Sequence, residues 1–106
     1  MQLSINTTSE GATRTVHVAG EVDVSCADEL RSAVDAALAS GASTVEVDLA
    51  EVPYIDSTGI GVLVGAAHRA SDAGLGLAVC NPQRNVSRVL GLLGVASDLN
   101  VRGAQQ

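Results

Sequence analysis

Aromatic side chains are almost absent from this chain: it has no Trp, no Phe and a single ring, Tyr54. The core must therefore be built from Val, Leu, Ala and a few Ile, and a site that stacks bases or sugars on aromatic platforms is not expected. Basic charge is also scarce. Six Lys and Arg against twelve Asp and Glu leave a formal net charge of -6. Scattered along the chain, those six cannot form a patch that displaces counterions from nucleic acid, and the acidic balance disfavours anionic membrane surfaces. No apolar run approaches a membrane span and no charged-then-apolar leader follows Met1, so a cytoplasmic protein is expected. The two cysteines, Cys26 and Cys80, are isolated and lack CxxC spacing. They read as reduced thiols packed as small hydrophobes, and with His17 and His68 they supply too few converging ligands for a metal. Neither a metal nor a cofactor is expected.

What is present fits one globular domain. At 106 residues, 46% hydrophobic and 17% charged, the chain can bury a single core but not a second lobe, so residues 1–106 are expected to form one unit. Leu3-Ser4-Ile5 alternates, Thr7 to Gly11 reads as a turn, and Thr15 to Ala19 alternates again, which predicts two short strands joined as a hairpin. His17, between Val16 and Val18, is predicted on the opposite, solvent-facing side. From Ser25 the period lengthens. Ala27, Leu30, Val34, Ala37 and Leu38 recur at helical spacing, with Ser25 as candidate N-cap, Asp28 and Glu29 in the first turn, and Ser40-Gly41 as the stop.

Thr44 to Leu49 alternates strictly, giving a strand that buries Val45, Val47 and Leu49, and residues 50–53 read as a loop. A second helix is predicted from about Ser57 to Ser71 with Gly74 as its stop, then a strand from Leu75 to Cys80 broken by Asn81-Pro82. Val86, Val89, Leu90 and Leu93 mark a short third helix ending near Gly94, and Leu99 to Arg102 suits a last edge strand. The order β-β-α-β-α-β-α, with or without that final β, predicts an α/β domain: a mixed, mostly parallel sheet with helices packed against it.

The chemistry-bearing stretch is Tyr54-Ile55-Asp56-Ser57-Thr58-Gly59-Ile60-Gly61-Val62-Leu63, where two hydroxyls and a carboxylate fall at the start of a glycine-studded helix. Unpaired N–H groups and the helix dipole favour negative charge there, so a phosphate on such a hydroxyl is well received. A helical wheel puts Ile60, Leu63, Val64, Ala67 and Ala70 on a stripe facing the sheet. The other side carries Ser57, Gly61, Val62, Gly65, His68 and Arg69. Gly61 and Gly65 each cost about 0.8–1 kcal/mol against Ala inside a helix. Either they permit close packing, which also accounts for Gly59, or Gly61, Val62 and Gly65 form a smooth docking surface beside Ser57. Exposure of Val62 is the expectation that favours docking.

Enzyme readings fade. Ser57 is not in a G-x-S-x-G elbow and neither histidine neighbours it in sequence. Gly59, Gly61 and Gly65 miss the dinucleotide-binding spacing, and no lysine follows as a P-loop requires. A phospho-accepting aspartate at Asp56 lacks the acidic cluster that would hold its metal.

These residues resemble a known family. Gly20-Glu21-Val22-Asp23, Val47-Asp48-Leu49, the Asp56-Ser57-Thr58-Gly59 motif with its Gly-Val-Leu continuation, and Leu90-Gly91-Leu92-Leu93-Gly94-Val95 look like the STAS domain of bacterial anti-sigma factor antagonists, over Leu3 to about Val101. The resemblance implies a partner-switching regulator rather than an enzyme. Its unphosphorylated form would bind an anti-sigma factor that is also a serine kinase, so releasing a sigma factor. That kinase would phosphorylate Ser57 from ATP, and a metal-dependent serine phosphatase would reverse it. Asp23 matches an aspartate implicated in partner contact, and Thr58 a secondary hydroxyl position. With Asp56, Gly61, Val62 and Gly65 they make up the implied partner-binding set. The family's closing helix is expected to be short or absent here. The competing reading keeps the fold but makes the chain a structural or ligand-sensing subunit of a larger signalling assembly.

Overall fold

The computed structural model describes residues 3–105. It contains β1 (Ser4–Glu10), β2 (Thr13–Ala19), α1 (Ala27–Leu38), β3 (Thr44–Glu51), α2 (Ser57–Asp72), β4 (Gly76–Cys80) and α3 (Arg84–Leu92). The strands lie side by side in chain order, β1 antiparallel to β2, and β2, β3 and β4 parallel. Because the two parallel crossovers, through α1 and α2, step across the sheet in the same direction and crossovers are right-handed, both helices fall on one face. That face carries Val16, Val18, Val45, Val47, Leu49, Leu77 and Val79, all buried, against Leu30 and Val34 of α1 and Ile60 and Leu63 of α2.

The other face of the sheet is polar. His17 lies there, as the alternation predicts, and its ring bonds to Thr8 Oγ1 (2.9 Å) and to Asp48 Oδ2 (3.1 Å). Burial pushes the Asp48 carboxyl up, but the Ala50 N–H and the side chains of Asn81 and His17 outweigh it and hold the group below its ordinary range.

Several sequence expectations are corrected. The first turn is shorter than Thr7 to Gly11: β1 runs on to Glu10, and Gly11 with Ala12 alone closes the hairpin. Gly11 at φ +60 supplies the positive dihedral that a type II′ hairpin needs at its first turn residue. The Thr and Ser residues that read as turn formers are instead strand residues of a sheet edge, where β-branched and polar side chains are both accommodated. Likewise β3 extends through Ala50 and Glu51. Ser25 does not cap α1, which begins at Ala27 behind Cys26 and has no side-chain cap. Its hydroxyl turns back to Asp23 instead.

Val62 is also corrected: it is 5% exposed, not a surface residue. The wheel took the sheet as the sole packing surface, whereas α2 also packs on α1, to which Arg69 reaches across to Asp35 (2.6 Å). Val62 lies one heptad before Arg69 on that flank, while Val64, assigned to the buried stripe, is only partly covered. The last segment pairs with β4 only through an isolated bridge, Cys80 with Arg102, though Leu99 is fully buried beneath it. Among the described residues no helix follows α3.

Candidate functional site

The site is assembled by main-chain hydrogen bonds between two loops far apart in sequence. Val22 N–H donates to the Tyr54 carbonyl (2.9 Å) and Asp56 N–H donates to the Val22 carbonyl (3.0 Å), so residues 22 and 55 form a short parallel bridge. This fixes Asp23 beside the turn that enters α2. The turn itself is set by Asp56, whose extended backbone (φ -94, ψ -179) and side chain, accepting from Gly59 N–H at 3.0 Å, make it the N-cap. Ser57 is then the first helical residue and Thr58 the second.

Both are exposed, and neither hydroxyl has a hydrogen-bond partner among the described residues. Gly59 N–H is taken by Asp56 and Ile60 N–H bonds to the Asp56 carbonyl, which leaves the amides of Ser57 and Thr58 directed out of the helix end with no acceptor among the described residues. The end can therefore receive an anion on either hydroxyl. Thr58, expected as a secondary hydroxyl, is exposed as Ser57 is.

Asp23 is pre-organised by its own loop. Its carboxylate accepts from the Ser25 hydroxyl (2.5 Å) and the Ser25 N–H (2.9 Å), and these two bonds in that order hold its pKa below the usual value. It is therefore ionised next to the turn bearing Ser57 at neutral pH, and a phosphate added there would deepen an existing negative patch.

The three glycines have different reasons. A Cβ on Gly59 would sit 2.6 Å from Val22 Cγ1 and 2.8 Å from Ile55 Cγ1, so this glycine lets α2 approach the bridge that joins the loops. A Cβ on Gly65 would meet the Arg69 guanidinium at 3.3 Å, which ties this position to the ion pair with Asp35. Only Gly61 faces open space, where an added Cβ would have nothing within 4 Å. Of the docking set, then, Ser57, Thr58 and Gly61 are exposed, Gly65 and Asp23 are partly so, Asp56 serves the helix cap, and Val62 is inside.

Two residues outside the predicted partner-binding set stand at the rim. Tyr54 is 50% exposed and Val24 74% exposed, and each adjoins one of the two joined loops. A signal existed for the first: Tyr54 is the chain's single ring and sits three residues before Ser57. A further exposed apolar group, Val89, Leu92 and Leu93, lies at α3 and its C-terminal end. The Asn85 side chain of that helix donates to the Pro53 carbonyl (2.7 Å) and so pins it to the same turn.

No histidine serves Ser57. His68 is exposed about 16 Å further along α2, at 1.5 Å per residue, and His17 is on the far face of the sheet. Among the described residues no group of three His, Cys, Asp or Glu side chains could hold a metal ion, and no helix is long and apolar enough to cross a membrane.

A small two-layer α/β domain with an exposed serine at the first position of a helix, tied to a distant aspartate loop, is the arrangement of a STAS domain. A family model described as "Mlab, STAS domain" matches residues 5–101, and the chain belongs to this family. A curated relative, "Anti-sigma-B factor antagonist" of Staphylococcus epidermidis, is 30% identical over 101 residues, covering 95% of this chain and 94% of the relative. Among solved structures, an anti-sigma factor antagonist from Mycobacterium paratuberculosis superimposes with a TM-score of 0.86 at 21% identity, covering 94% of this chain and 85% of that one. The anti-sigma factor antagonist SpoIIAA in its unphosphorylated form gives 0.77 at 19% identity, covering 92% and 87%. In its phosphorylated form it gives 0.72 at 17%, covering 97% and 92%. These likenesses show the fold.

Proposed function

We propose that this chain is an anti-sigma factor antagonist switched by phosphorylation of Ser57. The observation that carries the reading is the position of Ser57: first residue of α2, exposed, its hydroxyl unengaged among the described residues, beside an Asp23 loop held by main-chain bonds. The name shared by the curated relatives supports it. In this reading the unphosphorylated protein binds an anti-sigma factor that is also a serine kinase, through Asp23, Thr58, Gly61 and the rim of Tyr54 and Val24. Phosphate on Ser57 ends the complex, and a metal-dependent phosphatase restores it. The protein acts in the cytoplasm as a substrate and a competitor, without catalysis of its own.

A phosphoserine at the first position of α2 brings about -1.5 to -2 charge to a helix end that favours it. The domain therefore remains folded, and the change is felt by the partner surface, where Asp23 and Asp56 already supply negative charge. The test is to incubate the protein with each anti-sigma factor kinase of its host and ATP, and map the product by mass spectrometry. A single phosphate on Ser57 is expected; a phosphate elsewhere, or none with any kinase, rejects the reading.

A further inference from the structure

The two edges of the sheet are treated differently. Beyond β4 the chain returns and covers the edge: Val79 N–H donates to the Leu99 carbonyl and Arg102 N–H to the Val79 carbonyl, both at 2.9 Å. At the other edge β1 has no such cover among the described residues, and six of its seven residues are exposed. Edge strands usually carry a device against pairing with another chain, such as lysine, proline, a bulge or very short length. The segment Ser-Ile-Asn-Thr-Thr-Ser-Glu has none of these; its one charge, Glu10, is at the end, and its pairing with β2 is regular throughout.

The hairpin fixes which groups are free. Glu10 and Thr13 close a two-residue turn and so form a hydrogen-bonded pair, and pairs alternate from there. Glu10, Thr8, Asn6 and Ser4 direct their N–H and C=O groups toward β2, whereas Ser9, Thr7 and Ile5 direct theirs outward. Under this edge, on the helix side, lies an open cleft of about 290 Å³ lined by Ile5, Thr7, Arg14, Ala33, Ala36 and Ala37. An unpaired ladder above a mostly apolar cleft is the edge of a sheet that can continue.

We propose that β1 pairs antiparallel with β1 of a second copy of this chain, joining two four-stranded sheets into one. A two-fold axis through Thr7 satisfies the outward groups symmetrically: Thr7 pairs with Thr7 of the second copy and Ile5 with Ser9. In this register Glu10 falls opposite Ser4, so the like charges of the two copies are kept apart. Ile5 and Thr7 of both copies lie on the helix side, over the two clefts, and the patch is on the opposite edge of β2 from β3, the strand that leads into α2. The Ser57 end is left accessible, so pairing and phosphorylation are separable properties.

Sedimentation velocity on the whole protein over a range of concentrations tests this. The wild type should pass from monomer to dimer as concentration rises, with slowed amide exchange at Ile5, Thr7 and Ser9. Thr7→Pro removes an outward N–H without touching a bond to β2, and should remain monomeric with an unchanged far-UV spectrum. Ile5→Lys, an edge charge, is the second variant and should shift dissociation at least tenfold toward monomer. Ser57→Asp should dimerise like the wild type. A wild type monomeric up to about millimolar concentration overturns the proposal, whether the edge stays bare or is used by another protein's strand. So does a folded Thr7→Pro protein that still dimerises.

Discussion

The amide of Asp56 donates to the carbonyl of Val22 at 3.0 Å, so the residue that caps α2 and the residue that precedes Asp23 are held as one main-chain unit. Charge on the Asp23 loop and accessibility of Ser57 are consequently set by backbone geometry rather than by a side-chain contact between them. Side chains at the surface of this unit can change without loosening it, while those packed under it cannot.

Gly59 and Gly61 should respond oppositely to alanine. Gly59→Ala forces a Cβ onto two buried side chains, at 2.6 and 2.8 Å, and is expected to destabilise the domain by about 1–3 kcal/mol. Gly61→Ala enters open space and should stabilise by up to about 1 kcal/mol through helix propensity. Urea unfolding curves measure both. If Gly61→Ala also weakens kinase binding while raising stability, the glycine serves the docking surface.

Asp56→Ala removes the acceptor of Gly59 N–H and should lower stability by about 1 kcal/mol, the usual worth of an N-cap. The first turn of α2 would fray. Phosphorylation of Ser57 by the kinase should then slow more than the stability loss explains, which a comparison of initial rates with Asp56→Asn, a cap-preserving change, would reveal.

Ser57→Asp should weaken kinase binding, and phosphorylation should weaken it more. A charge near -2 about 6 Å from one partner carboxylate costs about 1.4–5.5 kcal/mol at effective dielectrics of 80 to 20, or about tenfold to ten-thousand-fold in affinity. Aspartate carries about half of that charge. Titration calorimetry giving the same affinity for wild type and Ser57→Asp would remove the electrostatic account.

Burial raises the Asp48 carboxyl, yet the Ala50 N–H and then Asn81 hold it below its ordinary range, which gives an acid-sensitive contribution to stability. A carboxyl with a depressed folded pKa stabilises above its unfolded value, near 4, and that stability is lost as pH falls through the folded pKa. Unfolding free energies measured from about pH 6 down to about 2 should fall less steeply in Asp48→Asn than in the wild type. Asn81→Ala, which raises the folded pKa toward the unfolded value, should lose less stability over this range and complete that loss at a higher pH.

The order of elements was legible because each carries its own period: strict alternation at Thr44 to Leu49, helical spacing from Ala27, and glycine stops such as Gly74, which takes φ +74 behind α2. The start of α2 at Ser57 was legible because the extended run, the aspartate and the glycine-rich helix meet at one point in sequence. Burial of Val62 was not, since a wheel has no means of knowing that α1 covers a second flank of α2. Ser25 is an N-cap by residue type, but an ionised carboxylate two residues earlier is a stronger partner for its hydroxyl. The joining of residues 22 and 55 left no periodic trace, because a single backbone bridge imposes no pattern on side chains.

The unengaged hydroxyl of Ser57 has one more consequence. Among the described residues no internal bond of this hydroxyl has to break if it is esterified as proposed, so the folded domain should be the same object before and after each cycle. A switch of the proposed kind would keep no memory of its last modification: its tempo would belong wholly to the enzymes that write and erase the phosphate, and changing their abundance would retune it without changing a residue of this chain.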